Sequence, residues 1–239
     1  MKHSASSTTH NPQTIAKSVR FIVEAFLHRT PGAVDSRFAE RIEKLAANVA
    51  LWGSRMNLTA HPEDPKEIAF HVIDSLMPVV LASGDGPLHG AFDEGSSVLD
   101  LGSGAGFPGL VLAAASSANF TLVESRRKRA SFLQVAMAEM ALDNVRVDST
   151  RAAPSAFKGE YDLVTARAFG DGADFFAVAS AALKPNGLAM LYASSSQRLN
   201  LEAARASHFA DYSRVPYVVP RREERVERIL AIWRKGPSY

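Results

Sequence analysis

The stretch that decides the fold runs from Ser97 to Gly109 and reads Ser-Val-Leu-Asp-Leu-Gly-Ser-Gly-Ala-Gly-Phe-Pro-Gly. Its apolar beginning predicts a short β-strand, and four glycines follow within eight residues. Pro108 stands where the first turn of a helix would begin, since its fixed φ angle suits that position and its missing N–H is not needed there. Glycines allow positive φ angles and the close approach of a ligand. The stretch therefore predicts the strand, turn and helix of a nucleotide-binding corner in a doubly wound sheet.

Two classes of ligand fit this corner. Gly104, Gly106 and Gly109 satisfy the spacing G-x-G-x-x-G, which alone is a weak dinucleotide signal. Asp100 lies at the predicted strand end, where a carboxylate would repel a pyrophosphate but attract the sulfonium and amino groups of S-adenosylmethionine. The fragment from Asp100 to Gly106 also resembles the first motif of Rossmann-like methyltransferases. We therefore favour S-adenosylmethionine as the cofactor, and a nicotinamide or flavin site is the alternative.

Composition bounds the class of protein. The chain has 239 residues, enough for one large domain or a domain with an appendage, and a hydrophobic fraction of 46% that is typical of globular proteins. Cysteine is absent, which excludes disulfide bonds, cysteine-ligated zinc and iron–sulfur clusters, and with them radical methyl transfer and base methylation through a cysteine adduct. No signal peptide and no membrane-spanning run are visible. We expect a cytoplasmic protein that is a monomer and holds no metal.

The charges are unevenly distributed along the chain. Lys and Arg against Asp and Glu number 8 to 4 in residues 1–60, 1 to 8 in residues 61–119, and 18 to 13 in residues 120–239. A cationic surface suits a polyanion such as RNA, through phosphate contacts and the release of counterions. Scatter of charges over solvated faces explains the same numbers equally well.

The pattern divides the chain into a disordered tail (residues 1–12), an N-terminal helical cap (13–90) and a methyltransferase domain (91–239). Apolar residues at helical spacing predict three helices in the cap, with a loop at residues 52–59 and the third helix starting near Pro65. Strands alternating with helices over the domain predict an α/β fold with a mainly parallel sheet. Two apolar runs near the end of the chain predict a closing antiparallel hairpin, which is typical of Rossmann-like methyltransferases.

Charged residues follow the predicted strands. Glu124 ends the second strand, 18 positions beyond Gly106, where an acid can accept hydrogen bonds from both ribose hydroxyls of a cofactor; the alternative is a solvated glutamate. Residues 126–129 are cations at a helix start, a placement that the helix dipole disfavours and that indicates phosphate contact. Arg167 follows the fourth strand, where methylases of exocyclic amines usually carry Asn/Asp-Pro-Pro-aromatic. An arginine there favours methylation of a ring nitrogen that carries no proton.

Together these motifs resemble one family, the glucose-inhibited division protein B family of methyltransferases that act on guanine N7 of 16S ribosomal RNA. The resemblance covers about residues 40–235. It rests on these pieces: Asn57-Leu58-Thr59, His71-x-x-Asp74-Ser75-Leu76, the stretch from Asp100 to Gly109, Thr121-Leu122-Val123-Glu124-Ser125, Lys128-Arg129-x-x-Phe132-Leu133, Arg151-Ala152, Thr165-Ala166-Arg167-Ala168 and Arg228-Ile229-Leu230.

The resemblance implies methylation of 16S ribosomal RNA in the small ribosomal subunit, with no general base, and assigns roles to residues. A small-molecule methyltransferase and a non-catalytic RNA-binding relative are the alternatives. Two positions depart from the family pattern: Ala153 stands where an acid is usual, and Ala193-Ser194 where Lys-Gly is usual. Residues and resemblance together predict positioning of the reactants by Asn57 and Arg167, RNA contacts at His71, Asp74, Lys128 and Arg228, and cofactor contacts at Asp100, Gly102, Ser103, Gly104, Phe107, Glu124, Ala152, Ala153 and Arg167.

Overall fold

The computed structural model describes residues 11–30, 32–82, 84–167, 169 and 172–237. Its helices are α1 (Pro12–Leu27), α2 (Phe38–Met56), α3 (Pro65–Leu81), α4 (Gly109–Ala115), α5 (Arg127–Glu139), α6 (Ala173–Ala182) and α7 (Leu201–Ala206). Its strands are β1 (Ser97–Leu101), β2 (Asn119–Val123), β3 (Val145–Asp148), β4 (Tyr161–Arg167), β5 (Leu183–Ser194), β6 (Phe209–Arg221) and β7 (Glu224–Lys235). No helix among these is long and apolar enough to cross a membrane.

The seven strands form one sheet in the order β3-β2-β1-β4-β5-β7-β6. Strands β1 to β5 pair in parallel, and β7 pairs antiparallel with both β5 and β6. The predicted α/β class, mainly parallel sheet and closing hairpin are therefore confirmed. The strand order reverses at β1, whose neighbours are β2 on one side and β4 on the other. Ligands of open α/β sheets bind at the carboxyl ends of the strands at such a reversal.

The cap helices begin where the sequence supplies capping residues. The side chain of Asn11 accepts the Gln13 N–H before α1, and that of Asp64 accepts the Lys66 N–H before α3, each with a proline at the first helical position. The predicted start of α3 is therefore confirmed. The predicted disordered tail (residues 1–12) differs from the structure at its last two residues, since Asn11 caps α1 and Pro12 begins it; residues 1–10 lie outside the described part of the chain.

The loop predicted at residues 52–59 is also wrong over residues 52–56, because α2 continues to Met56. Gly53 lies inside this helix and packs closely against Pro62. A Cβ at this position would lie only 2.2 Å from the Cβ of Pro62. The helix ends at Asn57, whose backbone is left-handed with φ of 50°. Tertiary packing thus overrides the low helix propensity of glycine. β5 begins at Leu183 and ends at Ser194, so it is longer than the strand that the apolar run Leu188–Tyr192 predicts, and α7 has no counterpart in the sequence-based prediction.

The cap and one face of the sheet share a single hydrophobic core. Buried cap residues such as Ile42 and Ile68 belong to the same cluster as Val98 of β1 and Leu110 of α4. A second cluster, built around Phe175, Phe176 and Trp233, covers the opposite face. The sheet is therefore the middle of three layers. Helix α3 lies close to the carboxyl ends of the strands, where a ligand is expected to bind.

The turn of the β6–β7 hairpin is held onto the start of α3 by a charged contact. Glu67 is only 4% exposed. Its carboxylate accepts hydrogen bonds from Arg221 (Nη2–Oε2, 2.8 Å) and forms an ion pair with Arg222 (Nε–Oε1, 3.1 Å). A nearby ion pair joins the exposed Lys66 and Glu223, with Nζ 2.8 Å from Oε1.

We expect Glu67→Gln to lower the free energy of unfolding by about 1–2 kcal/mol, because a buried carboxylate with two arginine partners loses its charge. The matched control is Glu223→Gln, whose side chain is 88% exposed, and it should leave stability nearly unchanged because water screens its ion pair. Urea unfolding of both variants measures the difference. Equal losses in the two variants would contradict this role for Glu67.

Candidate active site

The glycine loop between β1 and α4 is fastened to the neighbouring strand. The N–H groups of Gly102 and Ser103 both donate to the carbonyl of Val123, at 2.8 and 3.1 Å. Gly102, Gly104 and Gly106 all have positive φ, and a Cβ at Gly106 would lie 2.5 Å from the Cδ1 of Leu110. Glycine is therefore required at this turn.

Two carboxylates hold this loop in place by accepting hydrogen bonds from backbone N–H groups. Asp100 has no exposed surface, and its Oδ2 accepts the N–H of Gly109 at 3.2 Å. Burial raises the pKa of Asp100 to about 7. Glu124 accepts the N–H groups of Gly104 (3.1 Å) and Arg126 (2.8 Å) through its two oxygens. Both predicted cofactor ligands therefore also shape the loop that would hold the cofactor.

A cavity of about 540 Å³ opens beside the loop at the strand ends, a size that is usual for small-molecule sites. Ala152 and Ala153 form one side of it and Phe169 another, with a ring carbon 3.3 Å from the place where a Cβ of Gly102 would lie. A larger cavity of about 750 Å³ lies near residues 32–41, away from the strand ends. The cavity at the strand ends is lined by Gly102, Val123, Ser125, Thr150, Arg151, Ala152, Ala153, Pro154, Phe169, Asp174, Ala177 and Val178.

The residues present fit S-adenosylmethionine. The cavity has mainly apolar walls suited to an adenine ring, and Glu124 lies in the chain between Val123 and Ser125, which both line the cavity. Gly102 presents backbone without a Cβ to the same cavity. One oxygen of Asp100, Oδ1, is buried without a hydrogen-bond partner in the described structure. Ser103 and Phe107, also predicted cofactor contacts, are nearly buried: Ser103 donates to the Asp100 carbonyl (3.1 Å), and the Phe107 ring lies against His71.

Arg167 and His71 form a close pair where β4 ends beneath α3. The Nη2 of Arg167 lies 2.6 Å from the Nδ1 of His71. Because a guanidinium is always a donor, Nδ1 must accept and the imidazole proton must sit on Nε2. Burial, followed by the charge of Arg167, lowers the pKa of His71 to about 3. His71 is therefore neutral, with its only lone pair already occupied.

Asp74, one turn along α3, is completely buried among cations and a tyrosine. Its carboxylate lies 3.6 Å from the Nη1 of Arg167 and 3.3 Å from the Nε of Arg228, and it accepts a hydrogen bond from the Tyr217 hydroxyl at 2.8 Å. A direct contact of Asp74 with RNA, as predicted, would require these side chains to move apart. Its contacts in the structure are with the two arginines that would meet the substrate.

Asn57 and Lys128, also predicted site residues, lie at the end of α2 and in the first turn of α5. The carbonyl of Asn57 accepts a hydrogen bond from Arg129, which ties the end of α2 to the start of α5. Lys128 is exposed in the first turn of α5, next to the exposed Arg126 and Arg127. Within the described ranges, no hydrogen bond links the Asn57 side chain to Arg167, so its predicted role in positioning stays a prediction.

A family model described as rRNA small subunit methyltransferase G matches residues 39–228 of the chain. The chain belongs to this family. Members of the family with this name include a protein of Acidiphilium cryptum, 38% identical over 68% of the chain and 71% of its own length. Another, from Borreliella burgdorferi, is 30% identical over 81% of the chain and 88% of its own length. The resemblance inferred from the motifs is thereby confirmed.

Among solved structures, the 4+2 cyclase SpnF superposes with a TM-score of 0.51 and 15% identity, covering 69% of this chain and 81% of that one. This similarity shows the fold alone. Membership of the methyltransferase G family confirms the predicted class of enzyme and S-adenosylmethionine as the methyl donor.

Several residues of this site in the methyltransferase G family member carry no clear signal in the sequence. Tyr217 and Tyr192 reach the cap from β6 and β5: Tyr217 bonds to Asp74, and the Tyr192 hydroxyl donates to the carbonyl of Ser75 at 2.9 Å. Both tyrosines lie in apolar strand sequences, and nothing in those sequences distinguishes them from ordinary core residues. Phe169 follows Arg167 by two residues, and only that spacing could have indicated it.

We expect the pH dependence of stability to report the buried His71. As the pH falls from about 6.5 towards 3, the unfolded chain binds a proton that the native His71 does not, so His71 makes stability fall with falling pH. His71→Asn keeps an acceptor for Arg167 and removes this proton uptake. Between pH 7 and about pH 4, the wild type should therefore lose about 1 kcal/mol or more relative to the variant.

Urea unfolding at both pH values measures this difference, with His28→Asn, a change at an exposed histidine, as the control. If the stability of the wild type and of His71→Asn changed in parallel with pH, His71 would take up a proton in the native state as readily as in the unfolded chain, contrary to this expectation.

Proposed function

We propose that this protein transfers a methyl group from S-adenosylmethionine to the N7 atom of a guanine in 16S ribosomal RNA of the small ribosomal subunit. Family membership supports the enzyme class and ribosomal RNA as the substrate. The observation that carries the choice of N7 is that, among the described residues beside Arg167, the two groups that could take up a proton, His71 and Asp74, are already engaged: Asp74 is buried against Arg167, Arg228 and the Tyr217 hydroxyl. The guanidinium cannot accept a proton, and the lone pair of His71 is already bonded to it.

Guanine N7 suits such a site because it has a lone pair and carries no proton. When bound, the cofactor supplies an electrophilic methyl group. The protein then needs only to align N7 with that group, and alignment can lower a barrier by about 7–11 kcal/mol in well-oriented systems. Arg167 would orient the base or the carboxylate of the cofactor from the end of β4, and Asn57 would support this alignment from the end of α2.

The cofactor would be held across the glycine loop. Glu124 would accept hydrogen bonds from the ribose hydroxyls with lone pairs that the Gly104 and Arg126 N–H groups leave available. Gly102, Ala152 and Ala153 would contact it largely through backbone atoms and small side chains, which makes the alanine at 153 tolerable. Asp100 would keep the loop in shape from its buried position.

We expect Glu124→Gln to raise the Kd for S-adenosylmethionine by about 10-fold or more, because hydrogen bonds to a charged group contribute about 1.5–3 kcal/mol. Glu94→Gln, at an exposed glutamate outside the site, should leave the Kd unchanged. Isothermal titration calorimetry measures both. Unaltered affinity in Glu124→Gln would exclude a ribose contact by this carboxylate.

The RNA would approach over the exposed cations that follow β2. Arg126, Arg127 and Lys128 form no ion pair within 4.0 Å among the described residues, so their charges are available to phosphates. Arg228 and His71 would meet the target nucleotide from the cap side. We further propose that the enzyme works as a monomer in the cytoplasm, where its ribosomal substrate is found.

The test is methyl transfer from labelled S-adenosylmethionine to small ribosomal subunits from cells that lack the enzyme. Large subunits and transfer RNA serve as controls, and borohydride–aniline cleavage locates N7-methylguanine. Label at one guanine of the small subunit is the expected result. Cofactor binding without label would indicate another substrate, such as a small molecule, and loss of both would indicate a non-catalytic relative.

A further inference from the structure

The charges around Asp74 do not balance. Arg167 and Arg228 share this one buried carboxylate, at 3.6 and 3.3 Å, and the third polar contact, from Tyr217, is with a neutral hydroxyl. His71 on the same face of α3 is neutral as well. Asp100 is the next acid in this region, but it forms no ion pair within 4.0 Å with either arginine. Counted over the residues that the structure describes, the cluster therefore holds one more positive than negative charge in a largely buried place.

A surplus charge of this kind is costly unless an anion accompanies it, because burial removes the water that would solvate it. The hydrogen-bonding capacity is also incomplete. The Nη1 of Arg167 is buried and has no hydrogen-bond partner within the described structure, since its distance to Asp74 is too long. Both arginine side chains keep 17% of their surface exposed, so an incoming group can reach the pair from the open side.

We propose that Arg167 and Arg228, held side by side on Asp74, form a binding site for one anionic oxygen group, a carboxylate or a phosphate. The inference rests on the proposed function, which offers two sources: the carboxylate of the methyl donor and a backbone phosphate of the target RNA. Either group matches the fork of donors on a guanidinium.

In this arrangement Asp74 and Tyr217 are positioning residues that do not touch the ligand. The negative charge of Asp74 offsets the repulsion between the two guanidinium groups and so allows them to lie close together. Tyr217 donates to Oδ1, the oxygen that also faces Arg228, and so fixes the carboxylate between the arginines. The cluster joins α3 of the cap to β4, β6 and β7, so the anion would be bound across the boundary between cap and sheet.

The test variant is Arg228→Met, which leaves Asp74 and Arg167 as a balanced pair and so should fold. The control is Arg225→Met, which removes an exposed arginine from the same strand. Calorimetry with S-adenosylhomocysteine and with 5′-methylthioadenosine, which lacks the amino-acid part, tests the carboxylate. Filter binding of isolated 16S ribosomal RNA at several salt concentrations tests the phosphate.

Two results would support the site. Weakening by about 10- to 100-fold for S-adenosylhomocysteine, with unchanged 5′-methylthioadenosine binding, would assign the carboxylate. Unchanged binding of both, with RNA affinity about 10-fold below that of the Arg225→Met control, would assign the phosphate. Tyr217→Phe should show the same pattern more weakly, about 3-fold.

Two other results would overturn it: Arg228→Met matching Arg225→Met with every probe, or equal losses for both small molecules. The comparison of the two small molecules involves neither RNA nor methyl transfer. A wild-type protein that binds S-adenosylhomocysteine but methylates no ribosomal RNA would refute the proposed function and leave this comparison valid.

Discussion

Arg167→Lys is expected to lower kcat by about 100-fold or more, although both side chains carry one positive charge. Arg167 contacts His71 through Nη2 and faces Asp74 through Nη1, and this geometry requires the planar fork of a guanidinium. A lysine ammonium can satisfy one of these partners at a time and would leave the other buried and unpaired. Misplacing the reactants by about 1 Å is enough to cost about 100-fold in rate.

Methyl transfer to small ribosomal subunits under single-turnover conditions measures the effect, with circular dichroism to confirm that the variant is folded. Arg205→Lys, at an exposed arginine of α7, is the matched control and should retain the wild-type rate. A folded Arg167→Lys enzyme with near-normal turnover would remove Arg167 from the positioning of the reactants.

Gly109→Ala is expected to lower the free energy of unfolding by about 3 kcal/mol or more. A Cβ at this position would lie 2.3 Å from the Cδ2 of Leu122 and 2.5 Å from the Oδ2 of Asp100, distances that force buried atoms apart. The same Oδ2 accepts the Gly109 N–H, so the displacement would also break the bond that closes the loop on β1. Cofactor binding should weaken together with stability.

Urea unfolding tests this, with Gly84→Ala as the control, because a Cβ there meets nothing within 4 Å and the backbone has no positive φ. The control should change stability by less than about 0.5 kcal/mol. A Gly109→Ala protein as stable as the Gly84→Ala protein would mean that α4 can shift away from β1 without cost.

The fold was predictable where local sequence and final structure agree. The strand, glycine turn and helix around Asp100 depend on residues within about a dozen positions, and Asp64-Pro65 marks the start of α3 by its own chemistry. The end of α2 was not predictable, because glycine has a low helix propensity and the sequence does not show that Gly53 packs closely against Pro62.

The candidate site was predictable in its residue types but not in its pairings. Asp74 meets Tyr217 and Arg228, which are 143 and 154 positions away, and no spacing in the sequence indicates such contacts. Asp100 was expected to face the cofactor because of its position at a strand end. In the structure its Oδ2 accepts the N–H of Gly109 at the start of α4, a bond that the path of the backbone decides, and its contact with the cofactor stays a prediction.

The position of β7 in the sheet has a consequence for how the protein is made. This strand is the last one along the chain, yet it lies between β5 and β6 and carries Arg228. While the chain is being synthesised, β5 has an open edge and β6 has no neighbour until β7 emerges. Exposed edges of this kind pair with other chains. The strand that covers the edge of β5 is therefore also the strand that completes the cluster around Asp74, so closure of the sheet and completion of this cluster occur in one step.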